Sequence, residues 1–262
     1  MTQSKRRALG ARVSRPAALL LAPVLHGQGV RVRKRTPVLP EAAGERSGRE
    51  GADGRTPLRL MIVGESTAAG VGAAHQRDGI AASLAADLAR RHGRAVTWAV
   101  SARTGATADA TAQDLLRSVG GDQDLVVVVL GVNDTVRLHS RRHWRGQMTR
   151  ILDALQPRLA ADGQIVLAGV PDLGAFPALP QPLRAVLGWH ARALDDELRN
   201  IAARRSGVLH VPSPALGDAA FAEDGFHPNA DAYARWSHHL VDSVAPGSAA
   251  MFRPLRGPRR SG

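Results

Sequence analysis

The sequence predicts an α/β protein built on a parallel sheet with helices on both faces. Three observations point there. Apolar, β-branched runs recur at intervals from residue 58 onward, stretches of helical periodicity separate them, and the runs are near-continuously apolar rather than alternating. Strands covered on both sides read this way, and such strands come from repeated strand-helix units.

The elements follow in order. LRLMIV (58–63), AVTWAV (95–100), DLVVVVL (124–130), QIVLAGV (164–170) and GVLHV (207–211) are the five expected strands. Between and after them, helical patterns cover about 80–92, 107–116, 140–161, 181–205 and 230–244. In sheets of this kind the working loops lie beyond the carboxyl ends of the strands. No internal repeat interrupts this body.

At 262 residues the chain can bury a sizeable core as one domain. We expect a tail over 1–57, a folded domain over 58–246 and a second tail over 247–262. The formal net charge of +12 is uneven along the chain. Residues 1–59 hold 13 Lys/Arg against 4 Asp/Glu and 251–262 hold four Arg and no acid, so the stretch from 60 to 250 is left near neutral at −1. The basic excess is thus a property of the tails. Specific nucleic-acid binding is not expected, because aromatics are only 3% and stacking surfaces are scarce. The run PAALLLAPVL (16–25) has a basic flank but is far short of the ~20 residues that span a bilayer. No convincing cleavage site follows it. It reads as a surface anchor toward anionic lipid or as a solvated tail, on a protein that is cytoplasmic or peripherally membrane-associated. Cysteine is absent, which excludes disulfides, thiolate zinc sites and a cysteine nucleophile.

The loop after the first strand, GESTAAGVG (64–72), admits several readings. A phosphate cradle of the P-loop type needs a Gly-Lys-Ser/Thr ending, and a dinucleotide fingerprint needs a third Gly where His75 stands. The G-x-S-x-G elbow fails at Ala68. Ser66 remains as a helix cap or a nucleophile. AEDGFHPNA (222–230) bears on that choice, because Asp224 and His227 stand three apart. A serine hydroxyl needs a base, an imidazole suits, and a carboxylate fixes the imidazole tautomer. VVVVLGVNDT (126–135) ends a buried strand with Asn133, whose amide could donate to an oxyanion or simply make a turn. SARTGAT (101–107) places Gly105 after the second strand, where it could offer a backbone N–H or be simply part of a loop.

Taken together, the order Ser66, Gly105, Asn133, Asp224-x-x-His227 resembles the SGNH hydrolases, the GDSL-type esterase and lipase family, over about residues 58–244. The resemblance implies a flavodoxin-like three-layer αβα sandwich with a five-stranded parallel sheet. It implies a serine hydrolase cleaving carboxylic esters through an acyl-enzyme. Ser66 would be the nucleophile, His227 the base and Asp224 its orienter; the N–H groups of Ser66 and Gly105 and the amide of Asn133 would form the oxyanion hole. No cofactor or metal is implied, and the partner is a small-molecule or lipid ester. Glu65 departs from the family's G-D-S block, where an Asp stands. The alternative is a non-catalytic binding protein on the same fold, its basic tails engaging lipid or nucleic acid.

Three further features carry weaker signals. HSRRH (139–143) has metal-ligand spacing in His139 and His143, but the Arg-rich surroundings favour a solvated helix face. Glu223 and Asp224, adjacent in sequence, do not make a glycosidase pair. The apolar, Pro-rich GAFPALPQPLRAVLG (174–188) reads equally as a pocket wall or a packed connection.

Overall fold

The computed structural model describes residues 16, 18–54, 56–215 and 217–244; the expected C-terminal tail from 247 lies outside them. A six-stranded sheet forms the middle layer. Its strands are β1 (Ser47–Glu50), β2 (Leu58–Gly64), β3 (Val96–Ala102), β4 (Gln123–Val129), β5 (Leu159–Ala168) and β6 (Val208–Val211), in the order β1-β3-β2-β4-β5-β6. All pairings are parallel except β1 with β3, which is antiparallel.

The helices are α1 (Ala22–Arg35), α2 (Ile80–His92), α3 (Ala108–Gln113), α4 (Val132–Val136), α5 (Arg141–Leu155), α6 (Leu183–Ala202) and α7 (Ala230–Val244). Strand alternation sorts the core into two. Leu60 and Ile62 of β2, with Leu125, Val127 and Val129 of β4, pack against α2 and α7 on one face. Met61 and Val63, with Val126 and Val128, face α5 and α6 on the other. Because successive strand residues point to opposite faces and both faces are covered, every second-residue set must be apolar. That is why the runs were legible as strands.

Several boundaries differ from expectation, among them the start of β5, at Leu159 instead of 164. The helix expected to reach 161 ends at Leu155, because Pro157 follows and the chain turns through a short 3-10 segment into β5. The segment expected over 107–116 is α3, capped by Thr107 Oγ1, which accepts from the Ala110 N–H at 3.3 Å, followed by a 3-10 turn at Leu115–Ser118.

The larger correction is the sheet itself, six strands instead of five. The added strand, β1, lies in what read as tail, and residues 41–50 pack onto the body. Ala42 and Ala43 donate to the carbonyls of Ala69 and Ala74, and Gln76 Nε2 donates to the carbonyls of Ala42 (3.1 Å) and Ala69 (3.0 Å). Further upstream, α1 buries Leu25 and is tied to the start of α6 through Gln28, whose Oε1 accepts from the Leu183 N–H at 3.0 Å. Leu19, Leu20 and Val24 of the apolar run are exposed. Among the described residues no helix is long and apolar enough to cross a membrane.

Candidate active site

The parallel strands deliver three loops to one edge of the sheet: Ser66 after β2, Gly105 after β3 and Asn133 at the start of α4 after β4. A fourth loop, before α7, brings Asp224 and His227 across to them. Gly72, at φ +95°, makes that approach feasible, since a Cβ there would overlap the Pro228 carbonyl. The buried Tyr233 of α7 donates its hydroxyl to the Val71 carbonyl at 2.7 Å, pinning the two loops together. Burial, with the Asp224 charge adding to it, pushes that phenol well above its ordinary range, so it stays a donor.

The three residues sit in one chain of hydrogen bonds. Ser66 Oγ is 2.9 Å from His227 Nε2, and His227 Nδ1 is 2.6 Å from Asp224 Oδ2. The other carboxylate oxygen of Asp224 accepts from the N–H groups of Phe226 and His227, both at 2.9 Å. Burial works to raise the Asp224 carboxyl, but the bonds from the His227 ring and these two N–H groups outweigh it and hold it below the usual carboxylate range. An ionised Asp224 on Nδ1 leaves Nε2 as the acceptor facing the serine hydroxyl.

The donors expected for an oxyanion are placed unequally. Ser66 and Gly105, the latter at φ +79° in an open turn, have N–H groups that no described residue takes up. Asn133 is different: its side-chain amide donates to Glu65 Oε2 at 2.5 Å and to the Ala106 carbonyl at 3.1 Å. Both amide hydrogens are therefore in use, and the amide reaches an oxyanion only by exchanging one of these bonds.

Glu65 is the other half of that arrangement. It is 2% exposed, and its carboxylate also accepts from the N–H groups of Val132 (2.8 Å) and Asn133 (3.0 Å) at the first turn of α4. Burial, helped by the Asp134 carboxylate nearby, raises Glu65 from an ordinary value of 4.5 to about 7, against the pull of those N–H donors. A carboxyl raised on folding contributes stability that is fully present below 4.5 and is lost as pH rises through about 7. Between pH 4.5 and 8 the wild type should therefore lose about 3 kcal/mol more stability than Glu65→Gln. Chemical denaturation of both proteins across that range checks it; parallel pH curves would refute it.

Some supporting residues gave no sequence signal. Glu41 Oε1 accepts from the Thr104 N–H at 2.7 Å, and Arg46 links Glu41 to the Ala102 carbonyl, so the segment before β1 braces the loop that carries Gly105. Here again burial opposes the Glu41 charge, and the Thr104 N–H and Arg46 hold its carboxyl below its ordinary value. From the 174–188 segment, Phe176 lines the site and meets Phe226 at 5.0 Å between ring centroids, while Leu179 and Leu183 pack into the core. That stretch is thus a wall at its start and a packed connection at its end. His139 of the HSRRH stretch is held by Asp134 at 2.7 Å and His143 meets it edge-on, neither joining the chain from Ser66 to Asp224.

A cavity of about 30 Å³ opens beside Ser66 and His227, walled by apolar groups including Val129, Leu130, Phe176, Phe226 and Trp236.

Residues 62–235 match the family described as GDSL-like lipase/acylhydrolase. A GDSL-like esterase of Mycobacterium tuberculosis is 32% identical over 189 residues, 68% of this chain. The match spans only 58% of that relative's length. Among solved structures, the lipase Lip_vut3 from a goat rumen metagenome superposes with a TM-score of 0.58 at 15% identity, covering 74% of this chain and 99% of its own. The SGNH-hydrolase family esterase AlinE4 gives 0.53 at 24% identity, covering 77% and 100%. At these identities the structural likeness is one of fold.

Proposed function

The chain belongs to the GDSL-like lipase/acylhydrolase family, and on that premise we propose that it hydrolyses carboxylic esters with Ser66 as nucleophile and a short acyl group on the enzyme. The observation that carries this reading is the continuous hydrogen-bond chain from Ser66 through His227 to Asp224.

His227 Nε2 takes the Ser66 proton as Oγ attacks the acyl carbon, and Asp224 stabilises the imidazolium that results. The oxyanion collects the free N–H groups of Ser66 and Gly105. Asn133 joins them when its amide leaves Glu65. His227 then protonates the departing alcohol oxygen, and water, deprotonated by the same nitrogen, releases the acid. The site combines backbone N–H donors, the Asn133 amide and an imidazole held by a carboxylate, so proton transfer and charge stabilisation carry the reaction.

The acyl length follows from the cavity. A water needs about 10 to 15 Å³, so 30 Å³ holds only two or three heavy atoms before the walls must move. Rates on p-nitrophenyl esters should therefore fall by about tenfold or more from acetate to decanoate, the cost of forcing a long chain into a packed core. Rates that rise with chain length would remove the short-acyl assignment, and no turnover of any ester by folded protein would remove the reading itself.

A further inference from the structure

Beside the acyl cavity lies a larger cleft of about 370 Å³. The two adjoin, with Pro171, Phe176 and Ser213 lining both. One wall is α6, which presents Arg192, Asp195, Asp196 and Arg199 at i, i+3, i+4 and i+7, a single helical face. The other wall is the pair of loops that follow β5 and β6, with Pro171 and Pro212.

The charges on the helical wall are fixed in place by one another. Arg192 Nη1 reaches both oxygens of Asp172, at 2.9 and 2.7 Å. Arg199 bridges Asp195 (3.0 Å) and Asp196 (2.8 Å), while Asp195 also takes the Val170 N–H at 3.0 Å and His210 Nε2 at 2.8 Å. Each guanidinium has five N–H donors and each carboxylate about four acceptor sites, so donors and acceptors remain over, held at set positions.

That composition selects among leaving groups. Three carboxylates face two already paired guanidiniums, which disfavours an anionic alcohol. An alkyl chain would strip solvent from the charged wall without replacing its hydrogen bonds. A polyhydroxylated alcohol suits both walls: each hydroxyl donates to a carboxylate and accepts from a guanidinium, and its C–H face lies against the prolines.

We propose that this cleft is the leaving-group subsite and takes a polyhydroxylated alcohol, the substrate being a short-acyl ester of a carbohydrate. The proposal rests on the ester-hydrolase reading above. In the step it serves, the bond between the acyl carbon and the sugar oxygen breaks, the oxygen takes its proton from His227 Nε2, and the acyl group stays on Ser66 until water removes it.

The test measures kcat and KM on ethyl acetate, on p-nitrophenyl acetate and on a mono-O-acetylated methyl glycoside, for the wild type, Arg192→Ala and Asp196→Ala. The glycoside ester should be favoured over ethyl acetate by about tenfold or more in kcat/KM, as loss of a few fixed hydrogen bonds predicts. Each variant should lose most of that preference through KM, with kcat on p-nitrophenyl acetate within about twofold of wild type. Asp196 meets Arg199 through one hydrogen bond whereas Arg192 holds both oxygens of Asp172, so the Asp196 variant keeps the test open if Arg192→Ala does not fold. Equal use of ethyl acetate and the glycoside, or variants that weaken all three esters alike, would overturn the subsite while leaving the esterase reading standing. Hydrolysis of none of them by folded protein would remove both.

Discussion

Replacing Ser66 by Ala should lower kcat on p-nitrophenyl acetate by about 10⁵ to 10⁶ and abolish covalent labelling by a fluorophosphonate. The residual rate would come from the donors of Ser66 and Gly105, which the substitution leaves in the backbone. Folding should be little affected, because the change removes one hydroxyl whose hydrogen bond is to His227. The measurement is active-site labelling followed by gel or mass spectrometry alongside steady-state rates. Labelling that persists in the Ala variant would place the nucleophile elsewhere.

Asp224→Asn should cost about 10⁴ in kcat with the fold retained. The asymmetry of Asp224 explains why. Its Oδ1 accepts from the N–H groups of Phe226 and His227, a duty the carbonyl oxygen of Asn can keep. The amide nitrogen then replaces Oδ2 against His227 Nδ1, 2.6 Å away in the wild type. Two donors cannot face each other, so the ring must carry its proton on Nε2, where it can no longer accept from Ser66. Thermal melts beside kcat separate the cases: a lowered melting temperature with unchanged turnover of the folded fraction would show Asp224 to be structural only.

Much of this was legible in the sequence, for a physical reason. β2 and β4 are buried on both faces, so their apolar runs stood out, and the Ser66, Asn133 and Asp224-x-x-His227 blocks, each weak by itself, stand at strand ends or before a helix in an order that resembles a known family. β1 gave no such signal. Ser47–Glu50 reads Ser-Gly-Arg-Glu, is mostly exposed, and pairs only through backbone with Val96–Ala99, nearly fifty positions later. The Glu65–Asn133 contact was equally hidden. It depends on how far one added methylene carries a carboxylate toward α4, a distance that only folding sets. Glu41 read as one acid in a basic tail, since its partner Thr104 lies on a loop more than sixty residues away.

β1 has one more effect, on what the molecule presents to other copies of itself. An unpaired strand edge is a template on which another chain can add, and β3 is seven residues long and largely buried. With β1 in place the sheet instead ends in two four-residue strands, Ser47–Glu50 carrying Arg49 and Glu50, and Val208–Val211. Gly48 also comes so close to the indole of Trp98 that a Cβ there would collide with the ring. The span 62–235 by which the family is recognised contains neither β1 nor Glu41, so those residues alone would carry the chemistry on a sheet with an open, adhesive margin.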